Sequence, residues 1–237
     1  MADTDFVTAA QVAALVAAMA SRHNALADFR SLRDTRCSYW TAVGGGSTTA
    51  TALAFALASA GTATAATNDV STKYNSFGRI DYLVTTASTS AVAYIRSNNF
   101  CARGVSGYGS SGFNVRMRGG PATGVATSTH RFWMGLKPAA NPTDVNPSTL
   151  VNMVGIGYDA ADTQLQIMVN DGSGTATKVA LGASFPKPTS DRSVLYQLDL
   201  SCAVAGSSIA YTVTELVSGA TTSGTLSSDL PVATTML

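Results

Sequence analysis

From residue 113 onward, apolar and polar side chains alternate in short runs. Phe113, Val115 and Met117 alternate with Asn114, Arg116 and Arg118; Phe132, Met134 and Leu136 repeat the pattern, as do Val194, Tyr196, Leu198 and Leu200, and then Ile209, Tyr211 and Val213. A period of two sends successive side chains to opposite faces of an extended chain, so each run reads as a strand with one buried and one solvated face. Turn formers separate the runs: Asn170-Asp171-Gly172-Ser173-Gly174, Ala205-Gly206-Ser207 and Ser218-Gly219-Ala220. Such turns join neighbouring strands antiparallel. Phe77–Thr85, Val92–Arg96, Leu150–Tyr158, Gln164–Val169 and Lys178–Leu181 are also strand-like, and Cys37–Thr41 reads as a first strand. Roughly ten to twelve strands at this spacing predict a mainly β chain, an antiparallel two-sheet β-sandwich. Ala50–Ala66, almost wholly Ala, Thr, Leu and Gly, has no assignable pattern.

The first segment differs. Thr8 and Gln11 fit a capping box, Asp3 and Asp5 favour a helix N-terminus, and neither Gly nor Pro occurs before Arg33. Val12, Val16, Met19, His23 and Leu26 recur at 4-3-4-3 spacing with Leu15 beside them, which predicts a helix of about six turns carrying a coiled-coil seam. The same stripe serves a helix packed on its own domain. His23 inside an otherwise apolar seam resembles a register-fixing position and tips the reading toward self-association. The division is therefore residues 1–36 as oligomerisation helix and anchor, and 37–237 as sandwich, with 37–110 a small β subregion ahead of 111–237.

Charge excludes several roles. Lys+Arg 15 against Asp+Glu 14 gives no basic stripe for nucleic acid. The apolar stretch Val12–Ala20 is far shorter than the ~20 residues a bilayer span needs, and it has no basic leader, so neither membrane insertion nor secretion is expected. Cys37, Cys101 and Cys202 lie too far apart for a zinc motif and read as small buried hydrophobes.

Catalytic signals are sparse, and no catalytic, cofactor or metal residue is assigned. His130 has no nucleophile elbow beside it. Asp159 and Asp162 form the nearest thing to a carboxylate pair, yet both sit where Asp simply favours a turn. Gly107, Gly109 and Gly112 match a dinucleotide fingerprint in form only, because a strand-like run follows where a helix is required. Asp159, Asp162, Asn170 and Asp171 have no EF-hand spacing. Aromatic residues that stack on a sugar remain as ligand candidates: Tyr39, Trp40, Tyr108 and Trp133, of which Tyr108 among its glycines, and after it Trp40, are the ones selected. Trp133, alternating with Phe132, is expected in the core or at a subunit interface.

The runs Arg131-Phe132-Trp133-Met134-Gly135-Leu136, Asn146-Pro147-Ser148-Thr149-Leu150 and Gly155-Ile156-Gly157-Tyr158-Asp159-Ala160-Ala161-Asp162 carry a resemblance, as do Leu165-Gln166-Ile167-Met168, Asn170 to Thr177, Leu181 to Pro186 and Ser228-Asp229-Leu230-Pro231. Over residues 131–237 the chain resembles structural proteins of tailed-bacteriophage virions, of tail-fibre or head-fibre type; residues 1–110 carry no comparable likeness. The resemblance implies a lectin-like, jelly-roll-like sandwich on a virion surface, made in the host cytoplasm and typically trimeric, with no catalytic residues to carry over. It also implies a chain that continues past Leu237. The expected partners are copies of itself, other capsid or tail proteins held through the N-terminal segment, and host surface polysaccharide. A capsid decoration protein is the alternative, and a polysaccharide depolymerase a more remote one. Charged residues make up only 12% of the chain, against roughly 25% in an average domain, which independently suits a subunit that hides surface against its copies.

Overall fold

The computed structural model describes residues 39–42, 50–53, 57–65, 70–77, 79–84, 91–97, 101–103, 112–123, 125–126, 129–203, 205–235 and 237. The helical seam expected from Val12, Leu15, Val16, Met19, His23 and Leu26 lies outside them, as does Tyr108.

Fourteen strands lie within the described residues, more than the spacing predicted. The extra ones come from the Ala/Thr stretch, which holds three short strands: β2 (Ala50–Leu53), β3 (Leu57–Ala60) and β4 (Thr62–Ala65). β2 pairs with β1 (Tyr39–Ala42), β4 with β5 (Ile80–Leu83) and β3 with β6 (Tyr94–Ser97), three two-stranded sheets in all. Gly61, at φ +91°, makes the tight β3–β4 turn, where a Cβ would come within 2.8 Å of the Leu83 carbonyl oxygen. An ion pair on buried Asp81 fastens β5 to a later loop: Asp81 accepts from the half-exposed Arg192 at 3.1 Å and faces Arg79 at 3.4 Å.

Two four-stranded antiparallel sheets form the body. One runs β14–β13–β12–β7, built from Thr221–Leu226, Ile209–Glu215, Tyr196–Cys202 and Phe113–Gly119. The other runs β11–β10–β9–β8, from Thr177–Ala180, Gln166–Asn170, Met153–Tyr158 and Phe132–Leu136. Registry carries the period-two alternation across each sheet. Opposite Leu200 lie Val115 on β7 and Tyr211 on β13; opposite Ile156 lie Met134 on β8 and Ile167 on β10. These rows share one core, with Tyr158, Leu198, Ile209 and Val213 fully buried at its centre, so the two sheets have a sandwich-like arrangement. Burying each such side chain stabilises by about 1.5–3 kcal/mol.

The outer faces differ. On the β7 sheet the outward residues are polar: Arg116 pairs with Asp199 at 2.5 Å and Arg118 donates to Gln197 at 2.8 Å, while Thr212, Ser223 and Thr225 continue the face toward β14. On the β8 sheet the outward face is covered. The β8–β9 connection crosses it, with a short 3-10 turn at Pro147–Thr149, and Ala176 N–H donates to the Ser148 carbonyl at 2.8 Å. A second small core forms there from Met153, Met168 and Ala176, with Trp133 and Leu150 packed against it. Trp133 thus joins this second core. With both faces buried, β9 and β10 lose the apolar–polar alternation of their neighbours.

Among the described residues, three buried polar atoms have no hydrogen-bond partner: Arg79 Nε, Trp133 Nε1 and the Tyr196 hydroxyl. The Tyr196 ring is fully buried, 5.9 Å from the Phe132 ring. Burial, and then the nearby Glu215 carboxylate, push that phenol's pKa up. Tyr196→Phe removes the unmade bond and keeps the ring, so stability should hold or rise by about 1 kcal/mol. Thermal unfolding checks this, and a loss of more than about 1 kcal/mol would mean that the hydroxyl is in fact satisfied.

Candidate functional site

Strand order decides which loops meet. The β7–β8 loop (residues 120–131), the β9–β10 loop (159–165) and the β11–β12 loop (181–195) all emerge at one end of the two sheets, where the rings of Phe132, Tyr158 and Tyr196 lie side by side. A rigid scaffold presenting several loops at one end is a common way to build a site.

Hydrogen bonds tie these loops together. Val125 N–H donates to Asp191 at 3.1 Å, joining the first loop to the third. Lys187 donates to the carbonyls of Ala160 at 2.7 Å and Asp159 at 3.3 Å, joining the third to the second, and its ammonium lies 5.1 Å from the centre of the Tyr158 ring. Tyr158 Oη meets His130 Nδ1 at 3.0 Å, joining β9 to the first loop. Lys178 reaches from β11 to Asp162 at 2.6 and 2.8 Å and to Asp159 at 3.1 Å. Arg131 donates to Asn146 at 2.9 Å and pairs with Asp144, anchoring the covering segment beside them.

The electrostatics follow from these contacts. Burial would raise the Asp159 carboxyl, but Ser148, through its hydroxyl and N–H, and Lys178 outweigh it and hold the pKa below the usual value. Burial would lower Lys178, but Asp162 and Asp159 hold it above its ordinary range. His130 is pushed down by burial and by Lys187, against a smaller opposing pull from Asp191, so it is neutral near pH 7. Burial, with Arg131, also lowers Lys187, although Asp162 and Asp159 oppose it. Asp159 and Asp162 therefore converge, as their spacing allowed, but the Lys178 ammonium bridges them as a structural clamp. His130 has a tyrosine partner in place of the serine and aspartate of a triad.

Beside the clamp lies a shallow depression of about 650 Å3, lined by Val125 and Ala126, by Ala160, Asp162 and Thr163, and by Lys187, Pro188 and Thr189. Its lining mixes short apolar side chains with an acid, a base and two hydroxyls. No His/Cys/Asp/Glu group among the described residues is arranged to hold a metal ion, and no helix among them is long and apolar enough to cross a membrane.

Of the aromatic ligand candidates, Trp133 lies in the second core. Trp40 sits on β1 opposite Ala52, and its side chain, like Tyr108, is outside what is described. Gly112 leads directly into strand β7, so the glycine run is not followed by the helix that a dinucleotide site needs. Cys101 and Cys202 belong to the main core, and burial, then proximity to Cys202, pushes the Cys101 thiol up to about 12. Sequence reasoning missed Lys178, Lys187, Thr163 and Thr189. Only Asp159 and Asp162 gave a signal, through their spacing. The chain matches no family model, and no curated protein or solved structure matches it either.

Proposed function

We propose that this protein is a non-catalytic surface component of a bacteriophage particle, a trimeric tail or head fibre whose lectin-like, jelly-roll-like sandwich attaches to host cell-surface glycans. The observation that carries the reading is the loop end. Three loops cross-linked by Val125–Asp191, Lys187–Asp159/Ala160 and Tyr158–His130 leave an open depression, beside which Lys178 already bridges Asp159 and Asp162. A pre-organised surface suits recognition better than proton transfer, which needs a group poised between two states. The virion assignment rests on the sequence resemblance over residues 131–237 and on the low charge content. Trimerisation through residues 1–36 would turn weak single sites into useful avidity.

One observation favours a second reading, a capsid decoration protein. The outer face of the β7 sheet is a polar array around Arg116, Asp199, Thr212 and Ser223, suited to contact with neighbouring shell subunits. The fibre reading expects a trimeric mass in solution, binding to host envelope preparations, and few copies per particle. Copies in proportion to the shell subunits, without envelope binding, would select the decoration protein. Absence from purified particles would end both readings.

A further inference from the structure

We propose that the loop-end depression is a saccharide site selective for an uncharged sugar unit, oriented by Asp162 and Lys187. This rests on the attachment reading above and assigns it a place and a ligand class.

The argument starts from unspent hydrogen-bonding capacity. An ammonium has three N–H donors. Lys187 spends two on the carbonyls of Ala160 and Asp159 and retains one at the rim. A carboxylate offers about four lone-pair positions. Asp162 accepts Lys178 on both oxygens and the Asp159 N–H at 2.8 Å, which leaves about one. The hydroxyls of Thr163 and Thr189 have no protein partner among the described residues. The rim therefore presents a charged acceptor, a charged donor and two hydroxyls able to do either.

That set matches vicinal hydroxyls on a ring, each able to donate to the carboxylate and accept from the ammonium. Val125, Ala126, Ala160 and Pro188 supply an apolar floor for the C–H face of the sugar. The depression falls within the roughly 300–1,000 Å3 range of small-ligand sites. Charge selects the ligand class. Carboxylates (Asp162, Asp191) and ammoniums (Lys187, Lys178) stand together on these loops, so a sugar of either charge meets attraction and repulsion at once, with no net field to repay its lost hydration, whereas a neutral ring needs only the unspent hydrogen bonds.

Saturation-transfer NMR on the full chain tests this, using methyl glycosides of glucose, galactose, mannose and N-acetylglucosamine, with galacturonate as the acidic probe. At least one neutral glycoside should bind, with a Kd on the order of 1 mM, and galacturonate should not. Asp162→Asn and Lys187→Met should each weaken binding about tenfold. Because Asp162 also braces the Lys178 clamp, Ala126→Trp provides a second variant: it fills the depression from an exposed position and leaves every charge in place, and it should abolish the signal. Failure of all four neutral glycosides, equal binding of galacturonate, or full binding by Ala126→Trp would overturn the proposal. If the unmodified protein then still binds host envelope, attachment stands and its site lies elsewhere; if it binds no envelope, the attachment reading falls as well.

Discussion

Replacing Glu215 by alanine should cost about 3 kcal/mol, one of the largest losses expected from a single truncation outside the main core. Glu215 is the chain's one glutamate, and it is buried at the end of β13. One carboxylate oxygen accepts the N–H groups of Leu195 at 3.2 Å and Val217 at 2.9 Å, and the other accepts Ser218 N–H at 2.6 Å. It therefore closes the β13–β14 turn and fastens the start of β12 to it. Each buried donor left unmade costs roughly 1–3 kcal/mol, discounted here because Ser218 sits where water can replace the lost acceptor. Burial alone would raise this carboxyl, but the Ser218 side chain and the three N–H groups outweigh it and hold the pKa below its ordinary value of 4.5. A carboxyl lowered on folding contributes stability that is fully present above its unfolded pKa and lost as pH falls through the folded value. The melting temperature of the native protein should therefore drop steeply below about pH 4.5, with Asp159 adding in the same direction. In Glu215→Gln that acid limb should be shallower and the neutral-pH stability lower. Calorimetry from pH 7 to pH 3 checks both. An alanine variant as stable as the native protein would remove the clamp from the account of this turn.

How much of this architecture could be read from residues alone depended on whether a strand has one face or two to bury. β7, β12 and β13 face solvent on one side, so their alternation was plain. β9 and β10 are buried on both sides, and only their bounding turns marked them. The Ala/Thr stretch hid three strands because its small side chains hardly separate a buried face from an exposed one; its single glycine, Gly61, was the one legible turn.

The candidate site was less legible for a topological reason. Val125, Asp162 and Lys187 are far apart in sequence and carry no periodicity, and they meet only because the β7–β8, β9–β10 and β11–β12 connections fall at the same end of the sheets. Strand order, which turn residues do not encode, had to be known first. Asp159 and Asp162 stood out by spacing, but their partner Lys178 sits on β11, across β10 from β9, so a pair that resembled metal ligands or catalytic acids is a lysine-bridged clamp. Aromatic content drew attention to Tyr108 and Trp40, whose side chains lie outside the described residues, and the small and charged residues that line the depression carry no aromatic signal.

The outer face of the β8 sheet yields the other large effect. Gly135 and Gly155 face each other across β8 and β9, Gly157 sits opposite Trp133, and the indole occupies the space above them. A Cβ on Gly135 would come within 2.9 Å of the Trp133 ring, and one on Gly157 within 3.2 Å. Gly155 is hemmed in by backbone rather than by the indole: its Cβ would lie 2.5 Å from the Met134 carbonyl oxygen and 2.8 Å from the Gly135 Cα. Neither atom belongs to a flexible side chain, so the two strands must separate to admit even a methyl. Gly155→Val should cost about 3 kcal/mol or more, at the upper end for overpacking. The damage should reach the second core, because Met153 and Met168 rest on the same face. Trp133 reports it directly, as one of only two tryptophans, and its fluorescence should shift to the red as the indole meets water. Gly174→Ala is the matched control: a Cβ there meets open space, and only the left-handed φ of +66° opposes it, a penalty of about 1 kcal/mol with no change in Trp133 emission. If Gly155→Val melted no lower than Gly174→Ala, the close approach of β8 and β9 would not be what requires glycine there.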